Sequence, residues 1–170
     1  MCFLRLILIA SVVLGLASCR EPEVSDQPEQ TISELNDEFR ERLEAQRSVV
    51  KAHLGDDQEN LRKFETAAGK IGTIRAILDA GIYSVDDTYE LQCLGIVLGD
   101  AFVQDMGMQW VVVTDEFGTD PALRDPNSRS ILIFPLTMIS KRIERGEQVD
   151  IFDLYNGVAN EIEQMRAEGF

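Results

Sequence analysis

Histidine occurs once in this sequence, cysteine three times, and Lys+Arg total 16 against 30 Asp+Glu. Each shortage excludes something. A single His rules out a His-cluster metal site. Three Cys cannot build a multi-disulfide scaffold. A formal net charge of −14 argues against nucleic acid as a partner, because nonspecific DNA or RNA binding needs Lys and Arg to neutralise phosphates. There is no Gly-x-Gly-x-x-Gly and no Walker lysine, so no phosphate-cradling loop and no cofactor is expected. What the chain does have is apolar content. At 45% of 170 residues it is too hydrophobic for a disordered polypeptide, and its length suits one domain.

Met1 to Ser18 reads as a secretory signal. Arg5 charges a short leading segment, and an apolar run from Leu6 to Ala17 follows, broken only by Ser11 and Gly15. That run matches a signal core of about 7–15 residues rather than a membrane span of about 20. Leu16-Ala17-Ser18-Cys19 resembles the lipobox of bacterial lipoproteins. The resemblance implies cleavage before Cys19 and lipidation of its thiol, which anchors the chain to a membrane. Arg20, where retention at the inner membrane would use Asp, favours the periplasmic face of the outer membrane in an envelope that has one. Residues 19–30 then form the lipidated Cys and an acidic tether with Pro22 and Pro28.

From residue 31 the periodicity is helical. Thr31-Ile32-Ser33-Glu34 has the capping-box pattern, and Ile32, Leu35, Phe39, Leu43, Val50 and Leu54 form one apolar stripe with a gap at Gln46-Arg47. A second helix is expected over about Gln58–Ala80, weakened at Gly69 and Gly72 unless those glycines admit a close neighbour, with Gly81 as its cap. His53, near the end of the first helix, reads as a partner of the helix dipole. Leu91 to Met106 carries no charge in its first nine residues, which marks a buried helix. Cys93 within it reads as a small buried hydrophobe. Gly95 and Gly99 can let another segment approach.

Three short strands follow: Gln109–Thr114, Pro121–Arg124 and Ser130–Phe134. Their short connections require an antiparallel meander. Leu136–Arg145 and an Asp150-capped segment to about Arg166 read as two closing helices. The expected fold is therefore one α+β domain over 31–170: N-terminal helices, a buried helix, a small three-stranded antiparallel sheet and two C-terminal helices.

Trp110-Val111-Val112-Val113-Thr114-Asp115-Glu116-Phe117-Gly118, Asp120-Pro121-Ala122-Leu123-Arg124 and Ile133-Phe134-Pro135-Leu136-Thr137-Met138-Ile139-Ser140-Lys141-Arg142 resemble a bacterial family known only as a domain of unknown function. Leu94-Gly95-Ile96-Val97-Leu98-Gly99-Asp100 belongs to the same pattern. The family-like core spans about 82–160. The resemblance implies one domain and carries no activity, cofactor or catalytic set.

The candidate recognition patch comprises Trp110, Asp115, Glu116, Asp120, Arg124, Lys141 and Arg142. Asp115 and Glu116 are adjacent at a strand end, so they point to opposite faces and cannot form a close carboxylate dyad. Asp120 and Arg124 flank the second strand as an expected ion pair. Lys141 and Arg145 share a helix face, with Arg142 turned away. The Asp-Glu-x-Gly-x-Asp run lacks the ordered ligands of a Ca²⁺ loop, so no metal is expected. These features favour a noncatalytic envelope binding module whose partners are the membrane, through lipid, and an envelope protein or ligand. Two alternatives stay open. One is a hydrolase using carboxylates of the 115–120 hairpin. The other is an inhibitor or immunity-type protein that captures a basic target.

Overall fold

A computed structural model describes residues 30–128 and 130–170 of the chain. The expected secretory signal, Cys19 and all but the last residue of the expected tether lie outside the described residues. The elements are β1 (Thr31–Glu34), α1 (Asp37–Lys51), α2 (Gln58–Phe64), α3 (Ala67–Asp79), α4 (Thr88–Met106), β2 (Gln109–Asp115), β3 (Gly118–Arg124), β4 (Leu132–Ile133), α5 (Ser140–Glu144) and α6 (Ile151–Glu168). Short 3-10 turns occupy Ala52–Leu54 and Pro135–Thr137. The architecture is α+β, as the sequence implies, but its antiparallel sheet has four strands rather than three, in the order β1-β2-β3-β4.

The extra strand is the segment that reads as a capping box. Thr31 to Glu34 pairs with β2, with Ile32 opposite Val113 and Glu34 opposite Val111. The alternation Thr-Ile-Ser-Glu suits a strand equally well. Ile32 settles the competition by packing with Val111, Val113, Ala122 and Leu132. The cap of α1 passes to Asn36, whose side chain accepts from the Phe39 N–H at 2.9 Å.

The gap in the α1 stripe is where a polar brace enters. Arg47 donates from Nε and Nη2 to the two carboxylate oxygens of Asp100 on α4, at 2.6 and 2.8 Å. Trp110 Nε1 donates to the same carboxylate at 2.9 Å. One acid thus ties α1, α4 and β2 together by charge-assisted hydrogen bonds.

The segment 58–80 forms two helices, not one. They break at Glu65-Thr66, and Thr66 Oγ1 caps α3 by accepting from the Gly69 N–H. A Cβ on Gly69 would collide with the Lys63 backbone carbonyl, so this glycine is where the two helices meet. Lys70, 7% exposed, returns its Nζ to the Phe64 carbonyl at 3.0 Å and to Gln104 Oε1 at 3.1 Å. Burial holds its pKa below the ordinary lysine value.

Helix α4 is the centre of the molecule. Leu91, Cys93, Leu94, Ile96, Val97, Leu98, Ala101 and Phe102 are all at 0% exposure. Burial pushes the Cys93 thiol up to about 11, the condition of an inert side chain. One side of α4 packs against α1, α3 and α6. On the other side, Gly95 and Gly99 receive the Pro135–Thr137 turn and the indole of Trp110. Asp87 precedes α4 without capping it by side chain; its Oδ2 accepts from the N–H and hydroxyl of Ser84 instead.

Two C-terminal segments differ from expectation in extent. Only Leu132 and Ile133 of the third expected strand pair with β3, because Asp125 and Ser128 fold the preceding residues into a side-chain-bonded turn. Pro135 opens a 3-10 turn, which shortens the following α-helix to Ser140–Glu144. Asp150 caps α6 as expected, accepting from the N–H groups of Phe152 and Asp153. Tyr155 stacks on Phe102 with ring centroids 4.6 Å apart and donates its hydroxyl to Asp105.

Candidate functional site

The β2–β3 hairpin turns through Glu116 and Phe117, with Asp115 opposite Gly118. Asp115 Oδ1 accepts from the Phe117 N–H at 2.8 Å, and Gly118 takes a φ of 139° that favours glycine. This local chemistry holds Phe117 out at the tip, 89% exposed. Burying such a ring against a partner is worth roughly 1.5–3 kcal/mol, and no described side chain collects it here.

Beneath the tip lies a cleft of about 320 Å³. Val113, Pro121 and Leu136 contribute its apolar lining, Phe117 and Phe134 its aromatic rings, and Asp115, Asp120 and Lys141 its charges. The register makes the two acids diagonal neighbours on one sheet face, since Asp120 pairs with Val113 and Asp115 with Gly118. Such neighbours sit roughly 7–8 Å apart. Lys141 reaches the cleft from α5, carried there by the Pro135–Thr137 turn docked on Gly95.

The other patch residues lie elsewhere. Trp110 faces α4 and belongs to the Asp100 brace. Together with Arg124 it borders a second hollow at the opposite end of the hairpin, beside Glu34 and Arg40. Asp120 and Arg124 form no ion pair, because four residues along a strand carry them roughly 13 Å apart. Glu116 is exposed and lines neither hollow. Arg142 donates Nη1 to the Met138 carbonyl at 2.7 Å, closing its own helix start. Among the described residues no group of three His, Cys, Asp or Glu side chains could hold a metal ion, and no helix is long and apolar enough to cross a membrane.

Sequence reasoning missed Phe134 and Thr137. Both follow from where the 3-10 turn runs, and the one local signal is an aromatic directly before Pro135. A larger hollow of about 640 Å³ passes His53, Gly69, Gly72 and Ile82. Its small-residue wall gathers no charge pair, and His53 there is bonded through Nε2 to the Tyr83 hydroxyl.

Residues 70–155 match the model of the domain of unknown function DUF3806. The chain belongs to that family. The matched DUF3806 segment starts at Lys70 in α3, spans α4 and β2 to α5, and ends at Tyr155 in α6. It contains every residue that lines the cleft, while β1, α1 and α2 precede it. A crystal structure from Bacteroides thetaiotaomicron shares the fold, with a TM-score of 0.60 at 18% identity over 82% of this chain and 50% of that one. The chain thus spans about half the length of that protein. No curated protein matches it.

Proposed function

We propose that this DUF3806 protein is a cell-envelope lipoprotein, held by lipid on Cys19, whose α+β domain is a noncatalytic binding module that docks a partner at the cleft beneath Phe117. One observation carries the docking half: an apolar ring 89% exposed at a hairpin tip, locked by its own turn over a cleft with fixed charges of both signs. Exposed aromatics beside polar groups are what binding hot spots use. The exposure of Asp120 and Glu116 supports binding over hydrolysis, since a general-acid carboxyl wants a pKa raised by burial. Phe117→Ala, at a position 89% exposed, should weaken partner binding at least about tenfold (about 1.4 kcal/mol) with thermal stability unchanged. Equal binding by wild type and variant would sink the docking reading.

The anchoring half rests on the sequence from Leu6 to Arg20. The chain's net charge of −14 suits a protein that stands off an anionic membrane surface and is held by acyl chains rather than by charge. In cells fed radiolabelled palmitate, the wild-type chain should carry label and sediment with outer membranes. Cys19→Ala should lose both. Label retained in the variant would contradict lipidation at Cys19.

A further inference from the structure

We infer that the cleft docks a basic side chain, Lys or Arg, presented by an extended segment of a partner polypeptide. The inference rests on the reading of the cleft as a docking surface and gives it a chemistry. Three observations point the same way.

The first is charge. Asp115 and Asp120 share a sheet face and line one cleft, and neither is ion-paired among the described residues. Two carboxylates outweigh the one ammonium, Lys141, and the whole chain at −14 draws cations toward itself. The second is the aromatic rim. Phe117 is 89% and Phe134 37% exposed, and aromatic faces attract a cation whose aliphatic stem also packs on the ring. The third is the strand edge. Pairing of β3 with β4 is confined to Leu123 and Arg124, so Gly118 to Ala122 are paired only on the β2 side, and within that stretch Gly118 to Asp120 are exposed while Pro121 and Ala122 are buried. Gly118, Asp120 and Pro121 of that stretch line the cleft. An unpaired edge is met by an extended backbone, whose alternate side chains then enter the neighbouring pocket. Pro121 supplies no donor, which limits the contact to a few residues of such a chain. Lys141, on the opposite wall, disfavours a second cation and sets where the basic side chain sits.

The test uses the full-length protein in nonionic detergent and three fluorescein-labelled, end-blocked hexapeptides, in which Thr alternates with Lys, Gln or Glu. Fluorescence anisotropy should show the Lys peptide binding at least tenfold more tightly than the Gln peptide, and binding should weaken as salt rises. Asp115→Asn with Asp120→Asn should weaken it at least tenfold. Glu161→Gln with Glu163→Gln, which removes the same charge from α6, should cost no more than about twofold. Lys141→Glu should strengthen binding several-fold, a gain that misfolding cannot produce. Equal losses from the cleft and α6 pairs would reduce the effect to bulk charge and overturn the inference. If the Gln or Glu peptide binds best and Phe117→Ala abolishes it, the cleft is a docking site of other chemistry, and the inference fails while the docking reading stands. If no peptide responds to Phe117→Ala, both fail.

Discussion

Arg166→Ala should destabilise the fold by about 3–5 kcal/mol, the cost of leaving a buried charge without its partner. The side chain of Asp125 is 0% exposed, and its Oδ2 accepts from Arg166 Nε. The same guanidinium donates from Nη2 to the Met106 carbonyl at 2.8 Å. One residue near the end of α6 therefore closes α4 and orders the turn between β3 and β4. Burial pushes the Asp125 carboxyl up, but the Asn127 N–H and Arg166 outweigh it and hold the carboxyl below its ordinary value. The sign of the pH dependence follows. A carboxyl lowered on folding contributes stability that is complete above its unfolded value of about 3.9 and is lost as pH falls through the folded value. Urea unfolding at pH 7 should show the full gap between wild type and Arg166→Ala. The gap should narrow on acidification below about pH 4, as Asp125 takes up a proton and no longer needs a cation. A pH-independent gap, or one under about 1 kcal/mol, would mean that the pair is loosely held.

Gly95→Ala should cost about 3 kcal/mol, the upper end of overpacking, although Ala is the better helix former by about 1 kcal/mol. A Cβ at position 95 would lie 2.5 Å from the backbone carbonyls of both Pro135 and Leu136. Neither is a flexible side chain, so the whole 3-10 turn must lift from α4. Gly72→Ala is the internal control. It also lies inside a helix, but nothing stands within 4 Å of its Cβ position. It should stabilise by about 0.5–1 kcal/mol. Opposite signs at two helical glycines, read by chemical denaturation, separate close approach from intrinsic propensity. The Gly95 variant should also lose binding at the cleft, since the same turn carries Phe134, Leu136 and Thr137 into it.

Most of the fold was legible where one periodicity dominates. The charge-free stretch of α4 announced a buried helix, and Val111-Val112-Val113 announced a strand. Asp150 marked the start of α6 by its side chain alone. Legibility failed where a short pattern serves two structures. Thr31-Ile32-Ser33-Glu34 fits a capping box and a strand, and the choice belongs to Val111 and Val113, nearly eighty residues away. The break between α2 and α3 was hidden because Leu61, Phe64, Ala68 and Ile71 keep helical spacing across it. Gly69 and Thr66 signal the break only once the Lys63 carbonyl is seen to fill the space.

The site divides along the same line. Asp115, Phe117 and Gly118 are hairpin chemistry and can be read locally. That Lys141 and Phe134 reach the same cleft depends on a tertiary fact, the seating of Pro135 and Leu136 on Gly95. Trp110 and Arg124 share strands with the cleft residues, but lie at the other end of the hairpin. Sequence proximity could not distinguish the two ends, because both carry an aromatic and a charge.

The docking role of the cleft is tested most directly in living cells. Phe117 is replaced by the photocrosslinker p-benzoylphenylalanine, with Phe170, exposed at 56% on the far side of the sequence from the hairpin, replaced likewise as the control. Irradiation should yield a discrete adduct from position 117 that vanishes when Asp115→Asn and Asp120→Asn are added, and no such adduct from position 170. No adduct from position 117, or the same adducts from both positions, would contradict the docking role, and an adduct from 117 indifferent to the two carboxylates would overturn only the assignment of a basic side chain.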